Sequence, residues 1–437
     1  MAAFLASVIF QDAIMPTREP TNLLSYGWPG TYSLGAEEIA VVTQVLEAKS
    51  PNRFFGPDIL GYSQQLEAAF CSRWHRGYAL AVNSCSAALL IAMEALGIGP
   101  GDEVLVPGLM WVACIGAIVR AGAIPRLVEI DNSFTLDLED LAAKIGPRTK
   151  AILAVHMSGA PANIEAIMAL ATAKGLFVIE DLAQANGGSF NGKPLGSFGH
   201  AAVVSFQINK NMTAGEGGLV AFNDEHFYRR AVALHDVGYV HNEFGHSVFR
   251  DSNVQLWGLG SHMNELSAAV LVEQEKKLDA TIEGMRRASR WLYDGLATIP
   301  EATIRHRHDP DGDTGPFMFV TWPSADFCGE IVKRTTALGV TAGPKFSGNS
   351  RLATFGLHLY YEVASLANRV GTNATHYPWT APENEFALGY AYGKGTLPRS
   401  DDLFARTSML NVAPVLTEES CSAIVEAFRI SARDIQG

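Results

Sequence analysis

Cysteine is scarce and poorly placed for cross-linking. The five residues, Cys71, Cys85, Cys114, Cys328 and Cys421, are odd in number and far apart, and no Cys-x-x-Cys pair occurs. That argues against a disulfide framework and a zinc knuckle, and points to a reducing cytoplasm. Charge is sparse too: 18% of residues are charged, the net charge is -12, and Lys and Arg form no run. Binding nucleic acid needs clustered cations to neutralise phosphates, so no such partner is expected. No stretch approaches the roughly 20 apolar residues of a membrane span. The N-terminal MAAFLASVIFQDAIMP is apolar but has no basic residue ahead of it and no small-residue cleavage site, so it does not read as a signal peptide. Internal repeats and low-complexity tracts are missing. His235, His241, His246 and His262 lack the spacing of a metal site, and no metal is expected.

What is present is a chain of 437 residues, 48% of them hydrophobic, enough for two domains of ordinary size and a large core. From Tyr78 to Asn223 short apolar runs alternate with helix-like segments, the pattern of βα units in a parallel sheet. YALAVNS, EVLVP, RLVEID, KAILAVHMSG, LFVIED, AAVVSF and GLVAFN read as strands. SAALLIAMEALGI, WVACIGAIVRAG, DLEDLAAKI and IEAIMALATAKG read as helices. VLVP, AILAV and LFVIE are apolar almost throughout, as strands covered on both faces should be. After Asn264 a helix-forming stretch runs to about Ile299, too long for a typical globular helix without a bend and suited to bridging two domains. The expected fold is α/β: a large domain over residues 1–285 with a mostly parallel central sheet, and a smaller α+β domain over 286–437. Phe355 to Pro398, rich in aromatics, His, Gly and Asn, reads as a long ordered loop or an insertion.

Three polar spots fall at the ends of predicted strands, where open α/β sheets bind ligands. Asn83-Ser84-Cys85-Ser86 precedes a helix; its amides and hydroxyls can cradle a phosphate, or Ser84 can simply cap the helix. Asp181 closes LFVIED, with Gln184 and Asn186 close behind; a carboxylate there can hold a proton on a pyridine nitrogen, or Glu180 and Asp181 can be a solvated strand end. SFQINKNMTAGEGGLVAF sets Lys210 in a glycine-studded turn between two strands. Such a lysine either forms a Schiff base with an aldehyde or points at water.

The stretch Tyr78 to Asp224 resembles the sugar and cyclitol aminotransferases of the DegT/StrS type, fold-type I pyridoxal-phosphate enzymes. AVNSCSAALLIAMEALGIGPGDEVLVP is similar to the family's phosphate-binding strand, turn and helix, with Cys85 in place of the usual Gly between Ser84 and Ser86. VIEDLAQANGG and VVSFQINKNMTAGEGG are similar to two further family segments. The resemblance implies pyridoxal 5'-phosphate as cofactor, Lys210 as the Schiff-base lysine and Asp181 as partner of the pyridine nitrogen. It also implies Gln184 near the cofactor's hydroxyl, Trp111 stacked on its ring, and Ser84, Cys85, Ser86 and Ser205 at its phosphate. Related dehydratases carry histidine at the lysine position, so Lys210 favours transamination from glutamate or glutamine to a keto-sugar or keto-cyclitol. A homodimer is implied as well, and LPRSDDLFARTSMLNVAPVLTEES is most similar to the cyclitol branch.

One segment departs from the pattern. Where the family reads Gly-x-Asn-x-Arg-Met, this chain has Gly258, Leu259, Gly260, Ser261, His262 and Met263. In relatives that asparagine reaches the phosphate across the dimer interface, so Gly260 removes a donor and His262 replaces a fixed cation. Ser261 or Asn264 substituting in a drifted loop and an altered specificity are the two readings. His376, Tyr377 and Trp379 either line an acceptor pocket or pack as a loop. A lyase, epimerase or oxidative enzyme on the same cofactor, or a non-catalytic sensor, are the alternatives to transamination.

Overall fold

The apolar runs of the first half assemble into a seven-stranded sheet. A computed structural model describes residues 22–25, 27–241, 247–248 and 254–436. The N-terminal apolar run, His246 and the side chain of His241 lie outside the described residues. In chain order the strands are β1 (Tyr78–Val82), β2 (Glu103–Pro107), β3 (Ile124–Val128), β4 (Thr149–Val155), β5 (Phe177–Asp181), β6 (Ala201–Ser205) and β7 (Gly218–Phe222). Their spatial order is β1-β7-β6-β5-β4-β2-β3. Strands β3, β2, β4, β5 and β6 run parallel, and β7 is antiparallel to β6 and β1.

Strand periodicity feeds two cores at once. Val104 and Val106 of β2 pack with the helices α3 (Cys85–Ala95) and α4 (Val112–Arg120), numbered after α1 (Ala36–Glu47) and α2 (Tyr62–Arg73). Leu105 between them faces the opposite core, which takes in α2 and α6 (Ile164–Lys174), α5 (Leu138–Lys144) lying just before it in the chain. Burial on both faces explains the near-continuous hydrophobicity of these strands.

After α7 (Glu225–His235) the long helical stretch is α8 (Glu265–Leu296), 32 residues in one continuous helix. Its first part puts Leu271, Leu278, Ile282 and Met285 into the core under the large sheet. Its last turns put Ala288, Leu292 and Leu296 into a separate core. Glu265 at its start is fully buried and accepts hydrogen bonds from the Tyr62 and Ser63 amides at 2.6 and 3.0 Å. It thereby caps α2, whose own N-cap is the side-chain-less Gly61. The second core lies on an antiparallel sheet of β8 (Thr303–Ile304), β9 (Phe317–Thr321), β10 (Asn349–Arg351) and β11 (Thr407–Asn411), in the order β8-β9-β11-β10. Between these strands lie α9 (Ala325–Ala337) and α10 (Pro398–Arg406), and α11 (Glu418–Gln436) ends the chain, Phe428 stacking on Trp322 at 5.9 Å.

The aromatic-rich stretch 352–397 is ordered and packs on the α3–α4 side of the large sheet. Tyr360, Trp379, Tyr392 and Leu397 join that core. Asn384 accepts from the Gly101 amide at 2.8 Å and donates to the Gly122 carbonyl at 3.1 Å, and the Tyr392 hydroxyl donates to the Pro125 carbonyl at 2.9 Å. Among the described residues no helix is long and apolar enough to cross a membrane, and no group of three or more His, Cys, Asp or Glu could hold a metal ion.

Candidate active site

Because β1, β5 and β6 run parallel, their carboxyl ends deliver Ser84, Asp181 and Ser205 to one rim. There a cavity of about 690 Å³ is lined by Ser84, Cys85, Ser86, Trp111, Asp181, Gln184, Ser205 and Lys210. All eight sequence-derived candidates thus share one site.

Ser84 caps the helix and also lines the cavity. Its extended backbone ends β1, its Oγ accepts from the Ala87 amide at 3.2 Å to cap α3, and it still faces the cavity. The neighbouring strand presses close: a Cβ on Gly218 would sit 2.5 Å from the Ser84 carbonyl carbon. Backbone cannot yield as a side chain can, so Gly218→Ala is expected to splay this turn and weaken cofactor binding at least about tenfold, roughly 1.4 kcal/mol. Titrating the apoprotein with cofactor checks this, and wild-type affinity in the variant would sink it.

Strand alternation also separates the two carboxylates at the end of β5. Glu180 points away from the cavity, into a fully buried nest of the Gly196, Phe198 and Gly199 amides and the Arg76 guanidinium. Asp181 faces the cavity, 4% exposed. Its Oδ1 accepts from the Ala183 amide at 2.9 Å, and its Oδ2 accepts from the Cys114 thiol at 3.2 Å.

Lys210 sits in a turn whose backbone is pinned. Its amide donates to the Gln207 carbonyl at 3.0 Å, and its carbonyl accepts from the Gly30 amide at 2.9 Å. Thr213 Oγ1 donates to the Phe206 carbonyl at 2.9 Å, and Gly215 and Gly217 take positive φ to turn the chain back. The Lys210 side chain is turned inward. Burial lowers its basicity, and the nearby Cys85, Asp181 and Cys114, which pull the other way, do not restore it. A desolvated amine of lowered basicity is the form needed to attack a carbonyl. Burial and the Asp181 charge push the Cys85 and Cys114 thiols well up, so both stay neutral.

Trp111 is the N-cap of α4 rather than part of its apolar face, and at 43% exposed it presents its ring to the cavity. Gln184 lines the cavity beside His358, a residue the sequence reading missed. Phe355, Lys345, Met409 and Asn411 complete its far wall. Nothing in the local pattern marks His358: it reaches the site because Leu359 bridges to Leu109 and Met110 donates to its carbonyl at 3.0 Å. His376, Tyr377 and Trp379 are absent from the lining, and the Trp379 indole donates to the Val370 carbonyl at 3.2 Å, the packed-loop arrangement.

In the departing segment Gly260 has φ +65°, a left-handed position with no atom within 4 Å of where a Cβ would stand. His262 is turned to its own chain, with Nε2 3.1 Å from Asp236 Oδ1 and its ring 4.4 Å from that of His235. Ser261 binds the Asn83 amide through its carbonyl at 2.8 Å, which ties this segment to the turn before α3.

Comparison with known proteins gives the family of the fold. The model of the DegT/DnrJ/EryC1/StrS aminotransferase family matches residues 33–369. The structure of 3-amino-5-hydroxybenzoic acid synthase is similar at 25% identity over 94% of this chain and 100% of its own, with a TM-score of 0.75. DesV from S. venezuelae is 27% identical over 91% of this chain and 94% of its own, with a TM-score of 0.71. A GDP-4-keto-6-deoxymannose-3-dehydratase shares the fold at 19% identity, over 91% of this chain and 98% of its own, with a TM-score of 0.73. With its family model spanning most of the sequence, the chain belongs to the DegT/DnrJ/EryC1/StrS aminotransferase family and is a pyridoxal-phosphate-dependent aminotransferase.

Proposed function

We propose that this aminotransferase moves an amino group from glutamate or glutamine to a ketone on a sugar or cyclitol, with Lys210 as its covalent cofactor link and proton carrier. The observation that carries this reading is the convergence of a desolvated Lys210 and a hydrogen-bonded Asp181 in one cavity at the strand ends. The residues fit pyridoxal phosphate. Gly218 leaves the backbone room that a phosphate turn needs, and the N-terminus of α3 with Ser84, Ser86 and Ser205 offers donors to an anion.

When bound, the cofactor supplies the electron sink that lets an amino acid surrender its α-proton. Lys210 would hold the cofactor covalently, and its amine, of lowered basicity, would be the base that moves the proton. Asp181, fixed by Ala183 and Cys114, keeps a proton on the ring nitrogen. Trp111 would lie against the cofactor's ring, and Ser84, Ser86 and Ser205 would hold its phosphate. Lys345, exposed on the cavity wall, is the ammonium available to a donor carboxylate.

In this reading residues 1–285 bind the cofactor, and residues 286–437 form a smaller domain whose Met409 and Asn411 face the acceptor. The enzyme works as a cytoplasmic homodimer. Trp257 at 93% exposed and Leu259 at 69% support a second copy as the cover for this face, since isolated proteins rarely leave such a patch to water.

Purified holoenzyme given glutamate or glutamine is expected to convert its cofactor to the pyridoxamine form, and a keto-cyclitol or keto-sugar to convert it back. Absorbance follows both halves. A cofactor left unchanged by both amino acids would rule out glutamate and glutamine as the donor.

A further inference from the structure

We propose that His358 is a positioning residue whose Nε2 locks the side-chain amide of Gln184, so that one Gln184 N–H is held toward the cofactor. The inference rests on the assignment of Gln184 to the cofactor site. Hydrogen-bond geometry sets the imidazole tautomer. Its Nδ1 lies 3.2 Å from the Phe355 carbonyl, which can only accept, so Nδ1 carries the proton. Nε2 is then a lone-pair acceptor, and it stands 3.3 Å from Gln184 Nε2.

The other end of the amide is fixed by Ser158, whose amide donates to Gln184 Oε1 at 2.9 Å and whose hydroxyl lies 3.3 Å from the same oxygen. A flipped Gln184 would set N–H against N–H at Ser158 and oxygen against the His358 lone pair. With oxygen and nitrogen assigned, the amide has one N–H spent on His358 and a second left for the cavity that Gln184 lines.

The surroundings hold this arrangement in place. Ser158 takes φ +56°, a left-handed conformation uncommon for a residue with a Cβ. The buried Arg305 guanidinium secures it by donating to the Met157 and Ser158 carbonyls at 2.6 and 3.4 Å. Phe355 stacks on the His358 ring at 3.7 Å with 4° between planes, and Trp111 leans on it at 4.9 Å. Burial lowers the basicity of His358 to about 4, against the bond to the Phe355 carbonyl and with help from the Lys210 charge, so the ring is neutral when the enzyme works. Thus the stretch 352–397 lines the cavity with Phe355 and His358, and through His358 it reaches the Gln184 amide.

The test separates the nitrogen from the ring. His358→Phe keeps the stacked ring and removes the acceptor; His358→Gln keeps an acceptor near Nε2 and removes the ring. Cofactor titration of the apoproteins is expected to show about 5- to 10-fold weaker binding for His358→Phe, the worth of one hydrogen bond, together with a shifted absorption maximum. His358→Gln should stay within about twofold of wild type, as expected when the hydrogen bond is kept. In a Gln184→Ala background His358→Phe should cost nothing further, because the effect passes through that amide.

Wild-type binding and spectrum in His358→Phe would overturn the proposal, as would an undiminished loss in the Gln184→Ala background or a Gln variant as poor as Phe. Borohydride reduction and peptide mapping of each protein separates the layers. Lys210 labelled throughout with His358→Phe unaltered removes only the role of His358, whereas Lys210 unlabelled in the wild type removes the cofactor assignment and this inference with it.

Discussion

Replacing Lys210 with alanine is expected to lower transamination at least about a thousandfold, while the protein still folds and still takes up cofactor. The size of the effect follows from the two tasks that the proposed function puts on one amine. Proton transfer by a positioned base contributes about 10²- to 10⁴-fold, and loss of the covalent link adds to that by removing the exchange route through which an amino donor enters. The thiols and the carboxylate beside it cannot stand in. The Cys85 and Cys114 thiols are held neutral by burial and by Asp181, and Asp181 is tied to Ala183 and Cys114. Folding should survive, because the turn around Lys210 is held by its backbone and by Thr213 and Asn211, the latter donating to the Asn186 carbonyl at 2.7 Å. Single-turnover conversion to the pyridoxamine form is the measurement. Activity within tenfold of wild type would sink the assignment, whatever the steady-state assay reports.

The strand ends, the cap and the glycine turn that carry Ser84, Asp181 and Lys210 are local signals, but their reading as a cofactor site, with Trp111, Gln184 and Ser205, rests on the family resemblance. Each of the seven strands lies within or beside the apolar run that predicts it, although β3 begins at Ile124 rather than Arg126 and β4 stops at Val155, where His156 and the left-handed Ser158 turn the chain. The long helix is read correctly in extent, and it runs unbroken while its first part buries a stripe in the core under the large sheet and its last turns bury another in a separate core. What periodicity cannot deliver is pairing at a distance. His358 enters through a bridge between Leu109 and Leu359, and its aromatic-rich stretch carries no repeating pattern to say which side chain turns inward. The Gly260 and His262 departure is visible as a difference, but only the fold shows His262 Nε2 lying 3.1 Å from Asp236 Oδ1. Sequence singles out Asp181 at the strand end but says nothing of its neighbour, and strand alternation decides that Glu180 turns away from the cavity into a buried nest.

That decision has a second consequence, for stability rather than rate. Glu180→Leu is expected to destabilise the protein by about 3–5 kcal/mol, the usual result of deleting one member of a buried ion pair. In the folded chain the Glu180 and Arg76 side chains are 0% and 1% exposed, with an oxygen and nitrogen 3.3 Å apart. Leucine would restore apolar volume but leave Arg76 with only the Gly196 carbonyl, at 2.5 Å, and strand the Gly196, Phe198 and Gly199 amides. His156, whose Nδ1 accepts from the Ala162 amide at 3.1 Å, would lose the carboxylate that its Nε2 faces at 3.5 Å. Burial raises the Glu180 carboxyl, but the His156 imidazole, the Arg76 charge and the Gly199 amide outweigh it and hold the group below its ordinary 4.5. A carboxyl lowered on folding stabilises fully above that ordinary value, and the contribution disappears as acid carries the pH down through the folded one. Urea denaturation of wild type and Glu180→Leu should therefore differ by several kcal/mol at pH 7 and by progressively less below about pH 4.5. A gap under about 1 kcal/mol at pH 7, or one that widens on acidification, would show that the nest around Glu180 holds no such strength.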